Sequence, residues 1–335
     1  MFQQRLDIYK DIEKQRNSKI IVFITGDRPG LETQIHSEVY DYFVNHLDKI
    51  GVTAKISLYL YTRGGNTLAA WSIVNLIRLF CDELEVIIPA KCHSAGTLMA
   101  LGANIIIMTK QATLGPIDPS IHTALNPQIE GAPVTSKFPV SVEAIQGFTE
   151  LAREEYGISS DETLGNVLLK LSEKVHPLVL GEAYRTRSQI KMLADRLISH
   201  QLQEQEKKEK IINFLCSESG SHDYTINRRE AKNDLGLAIE NPSEELYTLI
   251  KKLYDDIHEE LKLTETYDPS SLLGTDEAKE YELKRSIIES IDGHSYYFVS
   301  KGSLTRHEIS SNGITQRIID DRRTFEGWKY EEAKQ

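Results

Sequence analysis

The sequence predicts an α/β protein: a parallel sheet flanked by helices on both faces, followed by a small α+β appendage. Three observations carry this. Short apolar, β-rich runs at 19–25, 54–62, 83–90 and 104–109 alternate with stretches of helical spacing. Strands that alternate with helices pair in parallel and are buried on both faces, which is why they read as nearly continuous apolar runs. The alternation fades after about residue 120, and beyond about residue 242 a charged amphipathic stretch precedes a hairpin signal.

Residues 1–18 read as a polar helix, and KIIVFIT (19–25) is the first strand, stopped by Gly26, Pro29 and Gly30. Residues 31–51 place apolar side chains at helical spacing and end on Gly51, so a helix is expected there. AKISLYLYT (54–62) is the second strand. Asn66 or Thr67 caps a helix carrying Leu68, Trp71, Val74, Ile77 and Phe80. ELEVIIPA (83–90) and NIIIMT (104–109) are strands around a small-residue helix, HSAGTLMALGA (93–103). Residues 121–139, with Pro127, Pro133 and Pro139, read as an extended loop, and 141–213 as mostly helical. Asn227 followed by Glu230 is a capping signal. Asp292-Gly293 between alternating apolar residues marks a hairpin within 290–302. A boundary is therefore expected between a main domain at 1–242 and an appendage at 243–335.

Composition narrows the function classes. A net charge of −11 with no basic stripe excludes a nucleic-acid surface, since phosphate binding needs a surplus of Lys and Arg on one face. Cys81, Cys92 and Cys216 are far apart and form no CxxC pair, so neither a disulfide framework nor a zinc site is expected. Cys92-His93 is no ligand pair, because adjacent strand residues point to opposite faces. No apolar stretch approaches the roughly 18 residues of a membrane span, and residues 1–19 lack a signal peptide's apolar segment. A cytoplasmic protein is expected, with no cofactor and no metal.

Two features carry chemistry, both at carboxyl ends of strands, where open α/β sheets place their sites. Arg63-Gly64-Gly65-Asn66 follows the second strand; paired glycines let the backbone approach a ligand and expose N–H donors. His93-Ser94-Ala95-Gly96 follows the third. A serine at a strand-to-helix turn presents an exposed hydroxyl, and the helix amino end favours developing negative charge. A donor pair beside a nucleophile is the minimum for acyl transfer. Each feature also has a plain reading, Gly-Gly as turn chemistry and Ser-Ala-Gly as an ordinary helix cap.

LYTRGGN (60–66) followed by AKCHSAGTLMALGANIIIMTKQATLGPIDP (90–119) resembles the core of the Clp protease and signal peptide peptidase A families. From residue 21 to about 237, two thirds of the chain, the resemblance is closest to the serine dehydrogenase proteinase family. It implies a Clp protease/crotonase-like fold built of ββα units. It also implies Ser94 as nucleophile and the N–H groups of Gly65 and Ala95 as an oxyanion hole. The family's chain order of Ser, Asp and His points to Ser94, Asp118 and His222. Asp118, 24 residues after Ser94, stands where Clp proteases carry a His, and His222 adjoins Asp223, ahead of Glu230-Ala231…Leu235-Gly236-Leu237. A triad is defined by roles and geometry, so this exchange of types is chemically acceptable. The rival base is Lys137, placed 43 residues after Ser94 like the lysine of a Ser–Lys dyad, with Phe138 and Pro139 available to desolvate it. His93 and His176 rank below these.

The leading expectation is thus an ATP-independent serine peptidase, since no G-x-x-x-x-G-K-[ST] motif occurs. Its partners would be a peptide or protein substrate and further copies of itself. A crotonase-type acyl-CoA enzyme and a degenerate peptidase serving as a binding module are the alternatives.

Overall fold

The computed structural model describes residues 2–118, 120–133, 135–218, 221, 223–311 and 314–332. In chain order the elements are α1 (Phe2–Arg16), β1 (Lys19–Thr25), α2 (Val39–Ile50), β2 (Thr53–Tyr61), α3 (Thr67–Arg78), β3 (Cys81–Ile88), β4 (Lys91–Cys92), α4 (Ala95–Leu101), β5 (Ile105–Met108) and β6 (Thr113–Leu114). Next come β7 (Ser120–Ile121), β8 (Val140–Ser141), α5 (Val142–Glu150), α6 (Asp161–Ser172), α7 (Pro177–Ile198), α8 (Gln205–Asn213) and β9 (Ile226–Asn227). The chain continues through β10 (Ile239–Glu240), α9 (Glu244–Leu261), α10 (Pro269–Leu273), β11 (Ala278–Ser290), β12 (His294–Ser311) and β13 (Ile314–Glu331). Two compact units result: residues 1–114 with 227–335, and residues 115–226.

The first unit is built on an eight-stranded sheet in the order β10-β5-β3-β2-β1-β11-β12-β13. From β10 to β1 every pairing is parallel. The alternation of β1 and β2 divides the core. Ile20, Val22, Ile24, Tyr59 and Tyr61 pack against Ile8, Tyr9 and Ile12 of α1 and Leu246, Ile250, Leu253, Ile257 and Leu261 of α9. Phe23 faces the other side, edge-on to Phe43 of α2 at 5.3 Å. A sheet covered on both faces explains the unbroken apolar run of β1.

The expected boundary near residue 242 has no counterpart, because residues 243–335 complete this sheet and its core. β11 pairs antiparallel with β1, Val22 opposite Glu289 and Thr25 opposite Ser286. Arg5 of α1, fully buried, ties the same regions together. Its guanidinium meets Glu289 of β11 at 2.6 and 3.0 Å, Asp256 at 2.7 Å and Glu260 at 2.5 Å. Tyr9 also donates to Glu289. The Asp292-Gly293 turn falls where the sequence places it, with Ser290 opposite His294. The hairpin is far longer than 290–302, however, running on through β12 and β13.

Residues 31–38 are not helical as expected, and α2 begins only at Val39. Leu31 and Ile35 are both fully buried as loop anchors, and their spacing of four imitates a helix. In the second unit the described residues beyond the short pair β7 and β8 are mostly helical, after a non-helical stretch over 122–139. Its small core comprises Ile121, Val140, Val142, Val179 and Ala183. Among the described residues no helix is long and apolar enough to cross a membrane, and no cluster of His, Cys, Asp and Glu could hold a metal.

Candidate active site

Ser94 sits between β4 and α4 with φ 53° and ψ −116°, a conformation that side-chain-bearing residues seldom adopt. It caps α4 without using its own hydroxyl as the cap acceptor. A sharp strand-to-helix turn of this kind can present a side-chain hydroxyl clear of the backbone. Small neighbours make the turn feasible: Ala95 and Gly96 are fully buried, and Thr97 donates to the carbonyl of Cys92 at 3.0 Å. Cys92, two residues before Ser94, is no rival nucleophile, since burial pushes its thiol well up.

The Gly-Gly strand end lies directly against this turn. A Cβ on Gly64 would come within 2.7 Å of the Ser94 Cβ, 3.0 Å of the His93 carbonyl oxygen and 3.2 Å of the Ala95 nitrogen. Gly64 and Gly65 also have φ of 112° and 141°, so both space and backbone demand glycine here. On the far side, Ile35 N–H donates to the Gly64 carbonyl and Asn66 N–H to the Ile35 carbonyl, both at 2.8 Å. Gly64 and Asn66 therefore direct these groups toward Ile35. The N–H and carbonyl of the intervening Gly65 point the opposite way, since each shares a trans peptide with one of those bonded groups.

Thr62 joins the two features. Its hydroxyl accepts from Thr25 at 2.7 Å and from Gly64 N–H at 2.9 Å. Its backbone N–H donates to the Lys91 carbonyl and its own carbonyl accepts from His93 N–H, both at 3.0 Å. Neither Thr62 nor Ile35 stands out in the sequence. A threonine and an isoleucine carry no local signal for such work, which rests on backbone pairing between distant segments. Tyr61, buried beside Asp27, donates to that carboxylate at 2.9 Å, and Lys91 pairs with the same oxygen at 2.5 Å. Burial and then the Asp27 charge push the Tyr61 phenol well up, so it stays protonated.

Of the site residues expected from the sequence, Ser94 and Ala95 thus lie against Gly64, the residue before Gly65. His93 beside them pairs with the Thr113 hydroxyl at 2.9 Å. Asp118 and Lys137 belong to the second unit. There Asp118 is half-buried and takes a long contact of 3.4 Å from the Ser141 hydroxyl. Lys137 is half-buried in a bridge with Gln128, while its neighbour Phe138 is 59% exposed and offers it little cover. His176 caps α7, its Nδ1 accepting from Leu178 N–H at 3.2 Å. His222 lies outside the described residues.

Residues 1–137 match the family model described as ClpP-like SDH-type serine proteinase. The match covers the segment that contains the Gly-Gly strand end and the serine turn. Two uncharacterized proteins of Methanocaldococcus jannaschii are similar along more of the chain. One is 28% identical over 74% of this chain and 77% of its own length, the other 27% identical over 74% and 76%. Among solved structures, a variant of a membrane-bound stomatin-specific protease in complex with a substrate peptide is 18% identical. That comparison covers 71% of this chain and 99% of the other, with a TM-score of 0.36. ClpP1 from Listeria monocytogenes is 15% identical over 70% and 98%, with a TM-score of 0.37.

Proposed function

We propose that this chain is a serine peptidase that cleaves peptides or proteins through an acyl-enzyme on Ser94, without coupled ATP hydrolysis. The observation that carries the reading is the Ser94 turn, φ 53° at the start of α4, abutting Gly64-Gly65. The Ser94 hydroxyl attacks the scissile carbonyl while a base takes its proton, and the developing oxyanion accepts from Gly65 and Ala95 N–H. The leaving amine receives the proton, and water then releases the acyl group by the reverse sequence.

For the base we favour His222 oriented by Asp118, with Lys137 as the alternative. The half-buried Asp118 carboxylate supports this choice, since an orienting acid must stay out of bulk water. The assembly is proposed to be homo-oligomeric. Support comes from the apolar side chains the second unit leaves in water, among them Tyr156 at 72%, Leu178 at 68% and Tyr184 at 76% exposure. The compartment is proposed to be the cytoplasm.

The test is fluorophosphonate labelling of the wild-type protein and Ser94→Ala, with the adduct mapped by mass spectrometry. The expected result is one adduct, on Ser94, absent from the variant; an adduct elsewhere, or none, removes the reading. On a fluorogenic ester, His222→Ala should cost on the order of 10³-fold in kcat and Lys137→Ala little. Activity should rise through near-neutral pH, around the ordinary imidazole value of about 6.5. Loss of turnover in Lys137→Ala alone would transfer the role to the lysine.

A further inference from the structure

The segment that fixes the Gly-Gly strand end is itself held from the carboxyl-terminal part of the chain. β11 pairs with β12 in regular register except between Lys284, opposite Val299, and Ser286, opposite Phe298, so Arg285 is the extra residue of a β-bulge. Bulges re-aim side chains, and here the guanidinium turns onto the loop between β1 and α2. Its Nε donates to the Leu31 carbonyl at 2.8 Å and its Nη2 to the Glu32 carbonyl at 2.7 Å. Nη1 donates to the Ser300 hydroxyl at 3.0 Å and pairs with Glu326, and the group lies over the Phe298 ring. The Arg285 backbone carbonyl accepts from the Thr33 hydroxyl at 3.2 Å, and that hydroxyl accepts from Gly26 N–H at 2.7 Å. Two residues beyond Thr33, Ile35 makes the two backbone bonds that hold Gly64 and Asn66.

We propose that Arg285 is a positioning residue for acyl transfer at Ser94, acting through the 31–35 segment to aim the Gly65 N–H. The inference rests on the serine peptidase reading and extends its machinery to a strand far from the matched residues 1–137. A five-donor planar fork suits the task, because it fixes two successive carbonyls and an acceptor of the neighbouring strand at once. Lysine at this position offers one point charge and can serve only one of them well. Loosening the segment lets the Gly64–Asn66 strand end shift, and a displacement of about 1 Å at a reacting centre costs on the order of 10²-fold in rate.

The experiment uses the full-length protein with Arg285→Met, Arg285→Lys and Thr33→Val. It measures kcat and KM on a fluorogenic ester, the rate of fluorophosphonate capture at Ser94, and the melting temperature. Arg285→Met is expected to lower kcat and the capture rate about 10- to 100-fold with KM within about twofold. Arg285→Lys should recover part of the loss, and Thr33→Val should reproduce a smaller loss from the loop side. A merely structural arginine would lower the melting temperature and leave kcat of the folded protein unchanged, and that result overturns the proposal. Should Arg285→Met fail to fold, Arg285→Lys and Thr33→Val decide, wild-type kcat in both being the refuting result. Wild-type protein that is not captured at Ser94 removes the peptidase reading and this inference together. Capture at Ser94 with unaltered rates in all three variants removes this inference alone.

Discussion

Ser94 can be replaced in two ways that remove the same hydroxyl and differ only in what remains at Cβ. At φ 53° and ψ −116° the residue occupies backbone space that only glycine visits freely. Holding a side chain there costs about 1–3 kcal/mol. Ser94→Ala keeps that cost, whereas Ser94→Gly relieves it. The glycine gives back about 0.5–1 kcal/mol through its larger freedom in the unfolded chain. The difference leaves Ser94→Gly more stable than Ser94→Ala by about 1 kcal/mol. For a chain of this size that is an upward shift of roughly 2 °C. Gly64, whose Cα faces the Ser94 Cβ, does not obstruct the change, since the substitution only removes an atom from that contact. Thermal unfolding of the two variants side by side reads the difference, and fluorophosphonate treatment confirms that neither is captured at residue 94. Equal melting temperatures, or a lower one for Ser94→Gly, would refute the claim that the turn stores strain for the sake of its hydroxyl.

Gly65→Ala should lower turnover by about 10²-fold, since its Cβ would stand 2.4 Å from the Ile35 carbonyl oxygen and 2.5 Å from its nitrogen; wild-type kcat would show that this strand end is not a donor. His46 of α2 is wholly buried with Nδ1 2.7 Å from the Ser290 hydroxyl, and burial lowers its imidazole to about 4. The stability this neutral ring contributes is complete above about pH 6.5, is lost as pH falls toward 4, and amounts to roughly 3 kcal/mol at most. A melting-temperature profile should therefore fall across that window in the wild type and flatten there in His46→Gln. Truncation after residue 242 should yield an insoluble or molten chain, because it removes five buried leucines and isoleucines of α9, each contributing about 1.5–3 kcal/mol; cooperative unfolding of that fragment would contradict the joining of residues 1–114 and 227–335 in one unit.

The sequence was most informative where structure is decided locally. The apolar runs of β1, β2, β3 and β5, the Asn66 cap, and the Asp292-Gly293 turn each state their geometry within a few residues. The Asn66 side chain accepts from Ala69 N–H at 2.8 Å, as a cap should. Ser94 and Gly64-Gly65 were legible because small residues at two adjacent strand ends suit a tight turn and a close backbone approach. Long-range pairing was not legible. β11 to β13 carry Glu, Lys and Arg on faces that the long hairpin leaves in water, so their period is blurred. Nothing local in residues 278–290 reveals that their partner is 19–25. Residues 31–38 misled for a related reason. Their buried Leu31 and Ile35 anchor a loop against a distant glycine pair, and a spacing of four is as compatible with that as with a helix. The partners proposed for Ser94 were the least legible, since a single Asp, His or Lys in a loop carries no pattern of its own.

The position of β1 between β2 and β11 has a consequence for how the protein is made. Its two neighbours leave the ribosome at very different times. β2 follows within about 30 residues, but β11 begins about 250 residues after β1 ends. At a synthesis rate of about 5–20 residues per second, the second edge of β1 stays open for roughly 13–50 s. During that interval Ile20-Ile21-Val22-Phe23-Ile24 lies at a free edge, a short uncharged β-rich segment of the kind that recruits other chains. β11 is thus made long after the edge that it closes off, and the nascent chain must be kept from its neighbours until that strand emerges.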